Sequence, residues 1–335
     1  MEWQRLQGLE FAPAPDPLWR NAPAPLVARY NVLGAPLEFA TNAPTLAALA
    51  EETFGGWGTP DAQAGEVLHL RVYLHNAPEA PSAQTALPLL IRAQGPYFWI
   101  TLGSSLGFAD RAAGFAAAFV TPAVAANRYL AQTGFLECLG IYLASRARPA
   151  TLHAAALAHH DRCVLLTGGS GAGKSTLAYA CLRAGFGLLA EDIVFSTGEG
   201  TPLLVWGNPC HLHLLPNAVR FFPELANAER IRQLNGETKL RIAVNAVRPG
   251  AAITRMPVWG VCSLSRASCA APRFLPADAA QIRTALTDFK GDPPLDRAAM
   301  TAAVDTLLAG RIAHLEVGAD LEAAVAVLRN WIETG

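Results

Sequence analysis

Polar and apolar residues alternate along Val67-Leu68-His69-Leu70-Arg71-Val72-Tyr73-Leu74, and apolar residues dominate Tyr97-Phe98-Trp99-Ile100-Thr101-Leu102. Both patterns predict strands. Pro78, Pro81 and Pro88 predict a loop over 76–88 between them. Upstream, Pro13, Pro15, Pro17, Pro23, Pro25 and Pro36 predict an extended or irregular segment over 11–36. Tyr129, Leu130, Phe135, Leu136, Leu139, Ile141 and Leu143 supply the apolar faces of a helix from Asn127 to Arg146. From His153 the chain reads strand, strand, glycine loop, helix, strand, then strands and turns to about residue 265. Within that run Cys163–Thr167 predicts a buried, parallel strand. Leu177, Ala178, Cys181 and Leu182 mark a helix after it, with Gly185 where a C-cap belongs. Leu295–Leu308 and Leu321–Ile332 predict closing helices around a strand at Ile312–Val317. No internal repeat or low-complexity linker is visible. The expected class is α/β, with a small α/β or β-rich N-terminal domain and bridging helix over 1–145. A catalytic domain follows over 146–335.

Length and composition support two domains: 335 residues, 52% of them hydrophobic, can bury a sizeable core. Charges nearly cancel, 26 basic against 27 acidic, and no basic run suggests nucleic acid. The aromatic residues Trp57, Tyr73, Tyr97, Phe98 and Trp99 read as N-terminal core. Cys138, Cys163, Cys181, Cys210, Cys262 and Cys269 are scattered without a Cys-x-x-Cys pair. They read as small buried hydrophobes of a reducing cytoplasm. Glu2, Arg5 and Glu10 argue against a signal peptide, and no apolar run reaches the ~20 residues of a membrane span. Ala112–Ala126 is the most apolar stretch, but Pro122 interrupts it. A cytoplasmic protein without membrane contact is expected, and a homo-oligomer is compatible with the sequence.

The chemistry begins at Gly168-Gly169-Ser170-Gly171-Ala172-Gly173-Lys174-Ser175, a full match to G-x-x-x-x-G-K-[ST], with Thr176 next. Gly168, Gly171 and Gly173 let successive N–H groups point inward at an anion. Lys174 places a mobile positive charge near β- and γ-phosphates, and the hydroxyl of Ser175 is the expected Mg²⁺ ligand. A glycine-rich turn with a chance Lys-Ser is the alternative; strand, loop and helix in the required order argue against it. Glu191-Asp192 then arrives only 18 residues after Lys174, at the end of an apolar strand. Ligands of open α/β sheets bind at such strand ends. Two carboxylates there can serve as metal ligand and as base for an attacking hydroxyl; an ordinary acidic strand end is the alternative. His153, in Leu-His-Ala-Ala-Ala-Leu, reads by itself as a core or strand-end histidine. His211 and His213 share one strand face, but no second ligand cluster at zinc spacing accompanies them. His159-His160-Asp161 reads as a turn between two strands.

Leu152-His153-Ala154, the loop Gly168–Ser175 and Leu189-Ala190-Glu191-Asp192-Ile193, in that order, resemble the HPr kinase/phosphorylase family. Trp206-Gly207-Asn208-Pro209, Leu214-Leu215-Pro216 and Lys239-Leu240-Arg241 resemble the wider group of HPr-kinase-related proteins. The likeness covers roughly residues 150–265. It implies a P-loop core of the HPr-kinase/phosphoenolpyruvate-carboxykinase kind using ATP and Mg²⁺. His153 would sit near the transferred phosphoryl group, with Asp192 or Glu191 as base, Lys174 on the phosphates, and Ser175 and Asp192 on the metal. Ala154 stands where the family has glycine, Glu191 where it has aspartate, and the later Glu-x-Arg-Gly-type signature is missing. These departures weaken the case for HPr itself as the acceptor, and for the reverse phosphorylase activity still more. Lys239 and Arg241 either neutralise the transferred phosphate in place of that signature or edge a solvated strand. The expected activity is ATP-dependent phosphorylation of a hydroxyl, foremost serine of a protein or peptide. The alternative is an ATP-binding regulatory protein without phosphoryl transfer. A transporter ATPase lacks its Leu-Ser-Gly-Gly-Gln element here, and a GTPase its Asn-Lys-x-Asp motif.

Overall fold

The computed structural model describes residues 23–58, 65–75, 89–233, 235–266, 271–289 and 296–334. The expected 76–88 loop, the prolines at 13, 15 and 17, and Cys269 lie outside them. The architecture is mixed α/β with three sheets. The first sheet holds β1 (Leu26–Val32), β2 (Ala35–Thr41), β3 (Leu68–Leu74), β4 (Leu90–Gln94), β5 (Tyr97–Leu102), β6 (Ser105–Asp110) and β7 (Phe115–Val120), in the order β1-β2-β3-β7-β6-β5-β4. Strands β2, β3 and β7 run parallel, and the other pairs are antiparallel. Helices α1 (Pro44–Phe54), α2 (Pro122–Ala126) and α3 (Cys138–Ala144) belong to this part of the chain. Eight residues of π-helix, Leu130–Glu137, lead directly into α3, so the predicted Asn127–Arg146 helix is present with a widened first half.

Two expectations change here. Residues 26–36 form a strand hairpin, not an irregular segment. Pro36 is tolerated because the ladder with β3 begins only at Leu37, so its missing N–H removes no bond to β3. Of the five aromatic residues, Trp57, Tyr73 and Phe98 are buried, whereas Tyr97 is exposed. Strand alternation turns Tyr97 and Trp99 to the face opposite Phe98, where both approach Phe108 at about 6 Å between ring centres.

The second part comprises β8 (Ala150–His153), β9 (Ala155–His159), β10 (Arg162–Thr167), α4 (Lys174–Arg183), β11 (Gly187–Ala190), β12 (Ile193–Ser196), β13 (Leu204–Gly207), β14 (His211–Leu214), β15 (Glu229–Arg232), β16 (Thr238–Ala243), α5 (Val244–Val247), β17 (Arg255–Arg266), β18 (Arg273–Leu275), α6 (Ala279–Thr287), α7 (Arg297–Leu308), β19 (Arg311–Val317) and α8 (Leu321–Thr334). Nine strands make the central sheet, in the order β11-β9-β10-β17-β13-β12-β8, with β19 and β18 added beside β17. The twelve-residue β17 serves two neighbourhoods. Its first residues pair with β13, and its later ones lie between β10 and β19, parallel to both. Strands β14, β16 and β15 form a small third sheet.

Helices α4 and α8 pack with one apolar cluster, α6 and α7 with another. A third cluster gathers the N-terminal sheet, α1 and the long helix, and takes in Phe195 and Trp206 from β12 and β13. Helix α4 ends in a Schellman motif: Gly185 takes φ +102°, Gly185 N–H donates to Leu182 (3.2 Å), and Phe186 N–H to Cys181 (3.0 Å). No described helix is long and apolar enough to cross a membrane.

The strand–helix–strand unit expected around the glycine loop is interrupted. Strand β9 lies between β10 and β11 and runs antiparallel to each. Two strands each antiparallel to a third run parallel to one another. The carboxyl ends of β10 and β11 therefore emerge at the same edge of the sheet, which brings the loop and the acidic pair together.

Candidate functional site

The loop after β10 holds three left-handed residues, Gly168 (φ +143°), Gly171 (φ +83°) and Gly173 (φ +103°). A side chain at any of them would be strained. At Gly168 space forbids one too, because a Cβ would lie 2.7 Å from the Leu264 carbonyl of β17. Gly169 and Ser170 are exposed, and Ala172 leans on the α4 cluster. Gly173 caps α4 without a side-chain acceptor, so the first helical N–H groups face the loop. Lys174 folds back so that Nζ donates to the Gly168 carbonyl at 2.7 Å. Ser175 and Thr176 follow, half-buried, on the first turn.

Leu189 and Ala190 are fully buried, and the chain emerges from β11 at Glu191. The two acidic neighbours have different surroundings. The Glu191 side chain is 13% exposed. One of its oxygens accepts from Ser175 Oγ at 3.4 Å, the other from His213 Nδ1 at 2.7 Å. The Asp192 side chain is 65% exposed and lies 3.0 Å from His153 Nε2. His153 arrives by strand pairing, since β8 runs beside β12 with His153 opposite Ile193. Thr167 Oγ1 donates to the His153 carbonyl at 3.2 Å, tying the end of β10 to the end of β8. The protein crowded around Asp192 pulls its pKa up. The hydrogen bond and charge of His153, then the charges of Lys174 and Lys239, more than offset this and hold the carboxyl below its ordinary 3.8.

Behind the acidic pair stands a polar group from the third sheet and the long helix. Arg241 is 5% exposed, 3.8 Å from Glu229, and donates to His211 Nδ1 at 3.4 Å. Burial, followed by the charges of Arg241, His213 and Arg128, pushes His211 down to about 3, so its ring is neutral. Glu137, closing the π-helical stretch, accepts from Asn208 Nδ2 at 3.3 Å. Burial raises its pKa, and Arg241, Asn208, His213 and Thr133 pull the other way. The paired role considered for Lys239 and Arg241 therefore splits: Lys239 acts on Asp192, while Arg241 is committed to the interior. His211 and His213 likewise serve Arg241 and Glu191 separately. Among the described residues they belong to no group of three metal-ligating side chains.

Sequence reasoning missed His213 as a partner of Glu191. It also missed Arg266, at the end of β17, whose guanidinium nitrogens lie 3.6 and 3.9 Å from where a Cβ on Gly173 would stand. No sequence signal marks either as a site residue, because Arg266 arrives on β17 beside the loop strand and His213 by packing of the third sheet. Together the parts have a definite chemical capacity. The glycine loop, Lys174, Arg266 and the α4 N-terminus suit a polyphosphate. Ser175 and the two carboxylates are hard oxygen donors of the kind Mg²⁺ prefers. Asp192 is exposed, ionised and oriented by His153, the placement a proton acceptor needs.

No protein-family model matches this chain, and no curated protein does. Among solved structures it is weakly similar to the HPr(Ser) kinase/phosphatase from Coxiella burnetii. Identity is 15%, 55% of this chain and 97% of that one are covered, and the TM-score is 0.29. At that level a functional reading rests on the geometry of the site itself.

Proposed function

We propose that this chain is an ATP-dependent kinase that transfers the γ-phosphoryl group to a hydroxyl, foremost a serine of a protein or peptide. The observation that carries the reading is the single edge at which the glycine loop with Lys174 and Ser175 meets the His153–Asp192 pair. Residues 146–335 form the P-loop catalytic unit in this reading. Residues 1–145 brace it through the long helix and Glu137.

The attacking hydroxyl oxygen forms its bond to the γ-phosphorus as the bond to the ADP oxygen breaks. Asp192 accepts the hydroxyl proton, and His153 holds that carboxylate in line. Lys174, Arg266 and the α4 N-terminus stabilise the charge on the transferring group. Ser175 and Glu191, already in contact, are the pair that fits Mg²⁺, which supplies charge neutralisation when bound. The metal role expected of Asp192 thus passes to Glu191, and Asp192 keeps the base role.

Incubation with labelled ATP and serine peptides tests the reading. Asp192→Asn should lower phosphoserine formation by roughly 10²–10⁴-fold while leaving ATP affinity within a few-fold. Lys174→Ala should weaken ATP binding itself. Transfer at the wild-type rate in Asp192→Asn would remove the base assignment. Tight ATP binding with no phosphorylated product would favour the regulatory alternative.

A further inference from the structure

A second cluster of ligating side chains lies at the other end of β10. His159 ends β9 and His160 opens the turn to β10, and the last turn of α8 supplies Glu333. Along the six residues of β10 this is about 20 Å from the phosphate loop. Adjacent strand residues ordinarily point to opposite faces. His160 takes φ +53°, a left-handed conformation costly for a residue with a side chain. The two imidazole rings consequently lie side by side, 4.3 Å between centres. His159 Nε2 is 2.8 Å from Glu333 Oε1, and one ligand atom from each of the three residues lies within 4.8 Å of the other two.

The cluster is partly preorganised. The His159 side chain is only 12% exposed and stacks on Phe186 at 4.5 Å. The neighbouring cations have other partners. Arg329 Nη2 donates to the Ala184 carbonyl at 2.6 Å, and Arg162 donates to the Ile332 carbonyl.

We propose that His159, His160 and Glu333 form a transition-metal site of the zinc class, with three protein ligands and one position open to water. Two imidazoles and one carboxylate select zinc-like ions over Mg²⁺ or Ca²⁺. Ligands at the usual zinc distances stand about 3.4 Å apart in a tetrahedron. Small rotations of the exposed His160 and Glu333 side chains would close the site around that spacing. The ion cross-links the β9–β10 hairpin to the C-terminal helix, and the proposal is independent of the phosphate loop.

The test uses the full chain stripped with a chelator and titrated with Zn²⁺ by calorimetry, and with Co²⁺ by visible absorption. One equivalent should bind with micromolar or tighter affinity, give the intense bands of tetrahedral Co²⁺, and raise the melting temperature. His160→Asn, which tolerates the left-handed conformation, and Glu333→Gln should each weaken this binding at least tenfold and abolish the thermal shift. His211→Asn should leave it intact. Unchanged Zn²⁺ affinity in both ligand variants, or no wild-type site tighter than about 100 μM, would overturn the assignment.

Discussion

His213→Ala separates a structural claim about the acidic pair from any assumption about catalysis. The His213–Glu191 hydrogen bond is 2.7 Å long, and its partners are 19% and 13% exposed. A hydrogen bond to a charged group contributes about 1.5–3 kcal/mol when one partner is removed. Here the truncation would leave Glu191 with the long 3.4 Å contact to Ser175. A loss of about 2 kcal/mol follows, and at ~2–4 °C per kcal/mol the melting temperature should fall by roughly 4–8 °C. Thermal and urea melts of His213→Ala, Glu191→Gln and the double variant complete a cycle. The coupling energy should exceed ~1 kcal/mol, because contacting residues in one network do not add independently. His211→Ala serves as the comparison, since that ring contacts Arg241 and not Glu191. A coupling under ~0.5 kcal/mol, the usual limit for independent sites, would refute the claim that His213 holds Glu191 in place.

Other consequences follow from the same geometry. A Cβ on Gly207 would stand 2.7 Å from the Ala190 Cβ and closer still to the Leu189 carbonyl. Gly207→Ala should therefore cost ~1–3 kcal/mol by overpacking and displace the strand end that carries Glu191, seen as a urea midpoint shift with reduced ATP affinity; an unchanged midpoint would count against it. His211 is held neutral down to about 3, whereas an unfolded chain binds that proton near 6.5. The unfolded state thus holds the extra proton between these values, so stability is present above 6.5 and is lost on acidification through that window. Urea unfolding at pH 7 and pH 5 should show a smaller loss in His211→Asn than in wild type, by at most about 1.4 kcal/mol per pH unit; equal losses would show that His211 is not the source.

Features written in consecutive residues were legible before any fold was known. The glycine loop depends on local backbone conformation, and the three left-handed positions fall at glycines. Helix α4 and its Schellman end depend on residues within one or two turns. The alternation of β3 and the closing α7, β19 and α8 are likewise local patterns. The edge that joins the loop to Glu191-Asp192 was anticipated, although from a unit without the intervening β9.

What the tertiary structure alone decided is how the two carboxylates differ. Pairing of β8 with β12 brings His153 to Asp192 across 39 residues of chain, and β14 brings His213 to Glu191 across 22. The histidine pair that a strand pattern suggested for a metal is divided between Arg241 and Glu191. The pair that read as a turn meets Glu333 from the last helix. The physical reason is that strand register and helix docking minimise the free energy of the whole core, so a side chain's partners follow from where distant elements pack. Local conformational preference reaches only a few residues, and it determined the glycine loop but not the groups that surround it.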